Sequence, residues 1–441
     1  MSTALTSETT ARAAGAEPLG LVPRMKGQGY SAEHVAERRA WVEEKTGASL
    51  RHVGSHSVEG EEMRGNVENP VGAAQVPLGV AGPLVVEGAH ARGAFYVPLA
   101  TNEGALVRSY ERGMAALARA GGVGARVYED ENRVSPVFSF EDVGEAHDFA
   151  HVLRDEFDAV RAEAEATTRH GRLLRLEPHP VGREVIVNFC FHTADAHGMN
   201  MIVKATEAGC RYLMTRSRAR RFYVFSGYSS EKRAAGVLLA GGKGKRVVAG
   251  ARLPARVVKS YLHTTPERLC DMWHQTVLGH IQANAVGYNG HYANGLTALF
   301  IACGQDVANV VNSSVGITNF EATEDGGLYA SVTLTSLTVA TVGGGTQLGT
   351  ARECLEMIGC AGSGRAAKLA EIVAATLLAG ELSMGAAIAS GEFVQAHETY
   401  GRNRPKESTR HSAFSSQPSS SSTTGSDESR QSEDEKLKAD C

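Results

Sequence analysis

Val185-Ile186-Val187-Asn188-Phe189-Cys190-Phe191 is a run of β-branched and aromatic residues too short for a helix, and it reads as a strand. Phe138–Phe140 reads as a second strand upstream of it. Helix-like segments flank the pair, at Asp142–Glu165 and at Glu207–Arg220. Strands alternating with helices over about 90 residues predict a small α+β domain inserted within a longer chain.

Outward from that insert, Val134–Val137 opens the region on its N-terminal side. Thr101–Ala120 ahead of it reads as a helix. Thr101 or Asn102 would cap it, Glu103 would lie in its first turn, and Gly121–Gly122 would stop it. Leu78–Leu84, punctuated by Pro77, Gly79, Gly82 and Pro83, reads as an irregular loop with strand character. Ser31–Thr46 reads as a helix charged on one face, and residues 1–20 as a flexible leader. On the C-terminal side the pattern from Pro254 is mostly helical. Pro266–Ala285 and His291–Cys303 are the helices expected first, and a strand at Leu328–Leu337 then leads into the turn Gly343–Gly345. Arg365–Ser390 is the longest helical stretch, small and apolar along most of its length. Residues 406–441 turn to Ser, Glu, Asp, Lys and Gln. They are expected to be disordered, because so little apolar surface cannot offset the entropy of ordering.

With 441 residues and 42% hydrophobic content, the chain can bury a sizeable core in more than one domain. A formal charge of −4 gives no general field for nucleic acid, and the short basic run Arg216–Arg221 reads as a solvated helix face. The seven cysteines (190, 210, 270, 303, 354, 360 and 441) contain no C-x-x-C pair, which argues against a disulfide framework or a structural zinc site. The first twenty residues lack the apolar stretch of a signal peptide. No run of about 18 apolar residues suggests a membrane span. A cytoplasmic protein without metal, membrane or nucleic-acid partner is the expectation.

Two nucleotide-binding readings fail on spacing. Gly241-Gly242-Lys243-Gly244-Lys245 lacks the first Gly of a P-loop, and Arg246 stands where Ser or Thr should follow the Lys. No G-x-G-x-x-G follows a predicted strand, so a dinucleotide would bind by a non-Rossmann route. Gly343-Gly344-Gly345 could offer backbone N–H groups to a pyrophosphate, or be only a turn. Glu103, Lys232, Asp306 and His397 each sit in apolar or Gly-rich surroundings. Singly, each has an ordinary explanation as a cap or a paired surface charge; as a set they are possible acid–base residues.

Several ordered motifs together resemble one family. Glu68-Asn69-Pro70-Val71-Gly72, continuing to Pro77-Leu78-Gly79-Val80-Ala81-Gly82-Pro83-Leu84, is similar to the first signature of 3-hydroxy-3-methylglutaryl-CoA reductases. Ala100-Thr101-Asn102-Glu103-Gly104 resembles the family's A-T-x-E-G segment, and Asp195-Ala196-His197-Gly198-Met199-Asn200-Met201 its D-A-M-G-M-N-M cofactor motif. Gly287-Tyr288-Asn289-Gly290-His291, Ile301-Ala302-Cys303-Gly304-Gln305-Asp306 and Thr341-Val342-Gly343-Gly344-Gly345-Thr346 match further blocks. The resemblance implies an α+β fold. A large helix-rich CoA-substrate domain (21–135 and 225–405) would carry an inserted ferredoxin-like NADP(H)-binding domain (136–224), in a homodimer or higher homo-oligomer with shared active sites. It also implies that two NADPH reduce the acyl-CoA thioester to a primary alcohol, mevalonate, with release of CoA.

Roles follow from the same resemblance. Lys232 would stabilise the oxyanion, Glu103 would act as a general acid kept protonated by burial or neighbours, Asp306 would hold Lys232, and His397 on a mobile flap would protonate the departing thiolate. Asp195, Gly198, Met199, Asn200, Gln305 and Gly344 would contact the cofactor. Arg169 and Arg402 would approach its 2′-phosphate and favour NADPH over NADH. Ser109, Arg112, His291 and Asn294 would lie near CoA or the acyl group, the last two on one helix face.

Departures gather where the substrate's carboxylate should bind. The family's Asp-Lys-Lys is here Glu231-Lys232-Arg233. His274 occupies the place of a second lysine, and Arg133 stands one position early, with Val134 in the ungapped place. Ser226 needs a one-residue gap to match. With Arg133, Ser226, Arg233 and His274 as the candidate substrate contacts, these changes leave open a paralogue that prefers another acyl-CoA, or a non-catalytic CoA- or dinucleotide-binding descendant. Asn403 replaces the serine that is phosphorylated in animal enzymes.

Overall fold

The computed structural model describes residues 22–23, 29–394 and 398. The expected leader and tail, together with His397, Arg402 and Asn403, lie outside the described residues. Helix α1 (Ala32–Thr46) starts where the Ser31 hydroxyl accepts the His34 N–H and ends at Gly47. Strands β1 (Leu78–Gly88) and β2 (Arg92–Ala100) form a hairpin, followed by α2 (Leu106–Arg119) and the long strand β3 (Val123–Val134). Then come β4 (Val137–Ser139), α3 (Val143–Asp155), α4 (Phe157–Glu165), β5 (Arg172–Val181), β6 (Glu184–His192), α5 (Met199–Arg216) and β7 (Arg221–Tyr223). The remainder is β8 (Gly244–Leu253), α6 (Ala255–Leu262), α7 (Pro266–Gln282), α8 (Tyr292–Ala302), α9 (Val310–Ser313), β9 (Gly316–Ala322), β10 (Leu328–Leu337), α10 (Gly349–Met357) and α11 (Ala366–Ser390).

The chain is a mixed α+β protein with two separate hydrophobic cores. One core lies between α2, α8 and α11 and a sheet in the order β2-β1-β3-β8-β10-β9. The other lies between α3, α4 and α5 and the antiparallel strands β5, β6, β4 and β7. β3 belongs to both sheets. Its residues up to Glu131 pair with β8, and Asn132–Val134 pair with β6. Asn132 and Arg133 therefore sit at the junction, beside the start of β8.

Helix α11 is the centre of the larger core. By length and composition it could cross a membrane, but 83% of its apolar window is buried inside the protein. A Cβ added to Gly113 in α2 would lie 1.9 Å from the carbonyl oxygen of Ala379, so only glycine lets the two backbones approach this closely. Two buried glutamates of α11 tie loops to it. Glu371 accepts the N–H groups of Ala89, His90 and Ala91 in the β1–β2 turn, and Glu381 accepts those of Gly290 and His291.

Four expectations change. The helix at Thr101–Ala120 begins only at Leu106, because Ala105 adopts φ 71 and breaks it; the Thr101 hydroxyl instead accepts the Glu103 N–H in a turn. Leu78–Leu84 is the first part of a paired strand, with a register shift between Ala81 and Leu84. The helix expected from Glu207 starts at Met199, inside the Asp195–Met201 motif. Strands β1–β3 and β8–β10 give the part expected to be helix-rich a six-stranded sheet.

Candidate active site

The segment between β7 and β8 carries Lys232. Ser226 anchors its start: both its N–H (3.0 Å) and its hydroxyl (2.7 Å) donate to the Ser135 carbonyl. Ser230 (φ 54) and Lys232 (φ 55) are then both left-handed, a conformation disfavoured for residues with a Cβ and kept only where surroundings impose it. Lys232 Nζ reaches Asp306 Oδ2 at 2.7 Å. Asp306 follows α8 and is fixed by its other oxygen, which accepts the Ala308 N–H at 3.2 Å. Its neighbour Gln305 is buried and clamped, donating to the Cys303 and Ala340 carbonyls and accepting the Ala340 N–H.

Glu103 lies in the turn ahead of α2, where its Oε1 accepts from Asn294 Nδ2 at 3.3 Å. Both residues border a cleft of about 210 Å³, with Leu106 and Thr297 on its walls. Glu103 is exposed in the single chain, so the structure does not supply the burial expected to keep a general acid protonated. Among the described residues, Glu103 makes no hydrogen bond or ion pair with Lys232 or Asp306. His291 is not in α8 but caps it, and Asn294 lies in the helix's first turn. His291 Nδ1 lies 2.9 Å from Glu381 Oε1. Burial pushes the Glu381 carboxyl upward, yet His291, the Gly290 amide and the Thr318 hydroxyl together hold it below the usual carboxylate value. The ring of His291 stacks on Tyr110 with centroids 5.6 Å apart.

Ser109 and Arg112 are both held by α11. Ser109 donates to the Ser383 hydroxyl, and Arg112 donates to the same hydroxyl and to the Ser383 carbonyl at 2.6 Å, while facing Glu392 at 3.5 Å. The side chains of Arg233 and His274 are exposed and make no hydrogen bond or ion pair among the described residues, while the Arg233 N–H donates to the Ser230 carbonyl at 3.2 Å.

The expected cofactor residues gather around the start of α5. Gly198, at φ 75, caps this 18-residue helix without any side-chain hydrogen bond, so the N–H groups of its first turn, including those of Met199 and Asn200, are open to an anion. The Asp195 carbonyl accepts the Thr341 N–H at 2.9 Å, which brings the Gly343–Gly345 turn alongside. Gly344 adopts φ 55, and a Cβ at Gly343 or Gly344 would meet only open space, so this backbone is accessible to a ligand. Unpaired backbone N–H groups of this kind are the chemistry that receives a pyrophosphate. Arg169 is exposed in the turn whose Gly171 adjoins Met201. The carboxylate of Asp195 is engaged elsewhere, accepting the N–H groups of Gly364, Arg365 and Ala366 at the start of α11. Partial burial works to raise its pKa, and these three donors hold it below the usual value.

A second cluster was not singled out from the sequence. Glu231, next to Lys232, is ion-paired with Lys243 and with His197 Nε2 at 3.3 Å. Lys243 is fully buried and donates to Asn132 Oδ1 at 2.7 Å, and Asn132 donates in turn to the His197 carbonyl at 2.9 Å. Burial works to raise the Glu231 pKa, but His197 and Lys243 bring it down to about 2. Burial lowers the Lys243 pKa against the pull of Glu231. The sequence did carry one signal: His197 stands where the motif it resembles has methionine.

Comparison with known proteins fits this arrangement. Residues 34–402 match the family described as hydroxymethylglutaryl-coenzyme A reductase. The chain is 42% identical over 373 residues to the 3-hydroxy-3-methylglutaryl-coenzyme A reductase of Methanocaldococcus jannaschii, a match covering 83% of this chain and 92% of that protein. It is 44% identical over 374 residues to the protein of the same name from Methanothermobacter thermautotrophicus, covering 84% and 94%. In fold it resembles the class II 3-hydroxy-3-methylglutaryl-CoA reductase of Streptococcus pneumoniae solved with NADPH bound, with a TM-score of 0.62, 19% identity, and coverage of 83% of this chain and 100% of that one. With the family's pattern running through most of its length and relatives more than two-fifths identical, the chain belongs to the hydroxymethylglutaryl-coenzyme A reductase family.

Proposed function

We propose that this chain reduces 3-hydroxy-3-methylglutaryl-CoA to mevalonate and free CoA, as a cytoplasmic homodimer that consumes two NADPH and two protons per thioester. The observation that carries the reading is the Lys232–Asp306 pair: a cation held at 2.7 Å on a left-handed turn, in a chain of this family. NADPH, when bound, supplies the hydrides. Lys232 donates a hydrogen bond to the carbonyl oxygen as negative charge develops on it. Asp306 pairs with the ammonium and aims it. Glu103, with Asn294 beside it, provides the proton for the aldehyde oxygen, its carboxyl desolvated by substrate or by the second subunit. His397 protonates the CoA thiolate, which at neutral pH leaves poorly without a proton.

The amides at Gly198–Asn200 and Gly344 would hold the cofactor's pyrophosphate, and Arg169 and Arg402 would hold its 2′-phosphate. Residues 136–224 form the ferredoxin-like NADP(H)-binding domain, a non-Rossmann solution. Residues 21–135 and 225–405 form the CoA-substrate domain, whose Ser109, Arg112 and His291 border the bound acyl-CoA. The separate core beneath β5, β6, β4 and β7 supports this division.

A second reading, a paralogue reducing a different acyl-CoA, is favoured by one observation. Arg133 is 5% exposed with Nε and Nη2 unpartnered, and Val134 is buried in the smaller core. Arg133 with Ser226, Arg233 and His274 would bind the free carboxylate, and their rearrangement alters its shape. A steady-state screen of acyl-CoA thioesters with NADPH and NADH decides. NADPH oxidation dependent on 3-hydroxy-3-methylglutaryl-CoA supports the first reading. Turnover with another thioester alone supports the second, and no turnover with any refutes both.

A further inference from the structure

Four segments meet in a closed ring beside the lysine turn. His197 precedes the cap of α5, Glu231 directly precedes Lys232, Lys243 leads into β8, and Asn132 lies at the sheet junction of β3. The links run from the His197 ring to Glu231, from Glu231 to Lys243, from Lys243 to Asn132, and from Asn132 back to the His197 carbonyl. Met199 Sδ fills the interior, 3.5 Å from both Lys243 Nζ and Asn132 Nδ2. Glu231 is the only member on the turn, and it lies between two left-handed residues, Ser230 and Lys232. Such a turn relaxes unless its middle is pinned. Lys243 ion-pairs with one carboxylate oxygen from inside the fold, and His197 Nε2 lies 3.3 Å from the other; among the described residues these are charge contacts rather than aligned hydrogen bonds. A carboxylate held at one oxygen can swivel about that contact, whereas one held at both cannot.

We infer that His197 is a positioning residue: by holding the free oxygen of Glu231 it fixes the direction in which Lys232 leaves the turn. This rests on the reading of Lys232 as the group that meets the carbonyl oxygen. His197 points at Glu231 and contributes to catalysis through it, without touching either reactant. Its position immediately ahead of the α5 N-terminus joins the lysine turn to the backbone that would receive the cofactor. In this chain the methionine of the resembling motif is replaced by a side chain that can donate to a carboxylate.

The test compares two variants of the full chain that keep the bulk of the side chain but differ in donation. His197→Met cannot donate to Glu231; His197→Gln can. Three quantities are read: single-turnover hydride transfer, the NADPH dissociation constant, and amide hydrogen exchange at residues 230–233 in the cofactor-free protein. His197→Met is expected to slow hydride transfer about 10-fold, as a misaimed catalytic group does. It should also speed exchange in the turn, with NADPH affinity within about 2-fold of wild type, since no contact to the cofactor is lost. His197→Gln should restore both rates. Equal behaviour of the two variants overturns the inference, as does an NADPH affinity that falls in step with the rate. A wild-type chain that reduces no thioester refutes the proposed function instead, and the exchange comparison then still decides whether His197 holds the turn.

Discussion

The ammonium of Lys232 stands 2.7 Å from Oδ2 of Asp306, and the other oxygen of that carboxylate is engaged by the Ala308 amide. Asp306 is therefore fixed before it meets the lysine, and Lys232 takes its direction from it. Both side chains are nearly half exposed, at 44% and 43%, so the pair adds little to stability and its worth lies in aim and charge. Lys232→Ala should accordingly fold normally and bind NADPH almost as wild type. Its hydride transfer should fall by about 10²-fold or more, the usual consequence of removing an oxyanion donor. Wild-type transfer rates in this variant would remove Lys232 from the chemistry.

Asp306→Asn separates aim from charge. The amide oxygen can still accept the Ala308 N–H, so the turn after α8 should persist and the thermal midpoint should hold. The lysine loses its counter-ion, and the rate of reduction should fall by about 10-fold or more. A large drop in the midpoint would show Asp306 to be chiefly a structural cap.

Asp195 offers a cleaner separation of structure from ligand binding. Its carboxylate accepts three amides at the start of α11, the central helix of the larger core. Asp195→Ala should cost about 1–2 kcal/mol, the upper part of the range for a lost N-terminal cap, and chemical denaturation measures it. An unchanged stability together with lost NADPH affinity would make this carboxylate a cofactor contact instead.

Gly113 tests the larger core itself. With Ala379 O only 1.9 Å from where a Cβ would stand, Gly113→Ala must separate α2 from α11. Overpacking of this kind costs about 1–3 kcal/mol, and the thermal midpoint should drop accordingly. Because Ser109 and Arg112 bind Ser383 across the same contact, their hydrogen bonds should loosen with it.

The sequence was most legible where local chemistry decides. Leu328–Leu337 is the predicted strand, and the longest helix begins one residue after its predicted start at Arg365 and ends at Ser390 as expected, its small apolar composition being a local signal. The edges of α2 and α5 were not legible. Ala105 and Gly198 are left-handed, and nothing local to an alanine announces φ 71. Strands β3 and β8 were missed because their polar residues pair with each other between the strands, Glu129 with Arg246 and Asp130 with Lys245, instead of facing a uniform environment. The ordered motifs placed Lys232 and Asp306 in one site before any geometry was available. They could not reveal the ring around Glu231, since its members are separated by up to 111 positions and meet only in the folded chain.

Glu231 also gives the protein a defined acid limb. Its carboxyl is held down to about 2, against an ordinary value of 4.5, by His197 and Lys243 in spite of burial. A carboxylate whose pKa is lowered by folding contributes stability that is complete above the unfolded value and is lost as pH falls through the folded one. That contribution is therefore intact above pH 4.5 and declines between there and about 2. Asp195 and Glu381, whose pKa values are also lowered, add to the same slope, so wild type alone cannot isolate Glu231. Glu231→Gln does. It should be less stable at neutral pH, because the buried Lys243 loses its counter-ion. It should also lose less on acidification, so that its urea midpoint converges on that of wild type as pH falls toward about 3. Parallel acid limbs in the two proteins would mean that Glu231 is not held ionised by this ring.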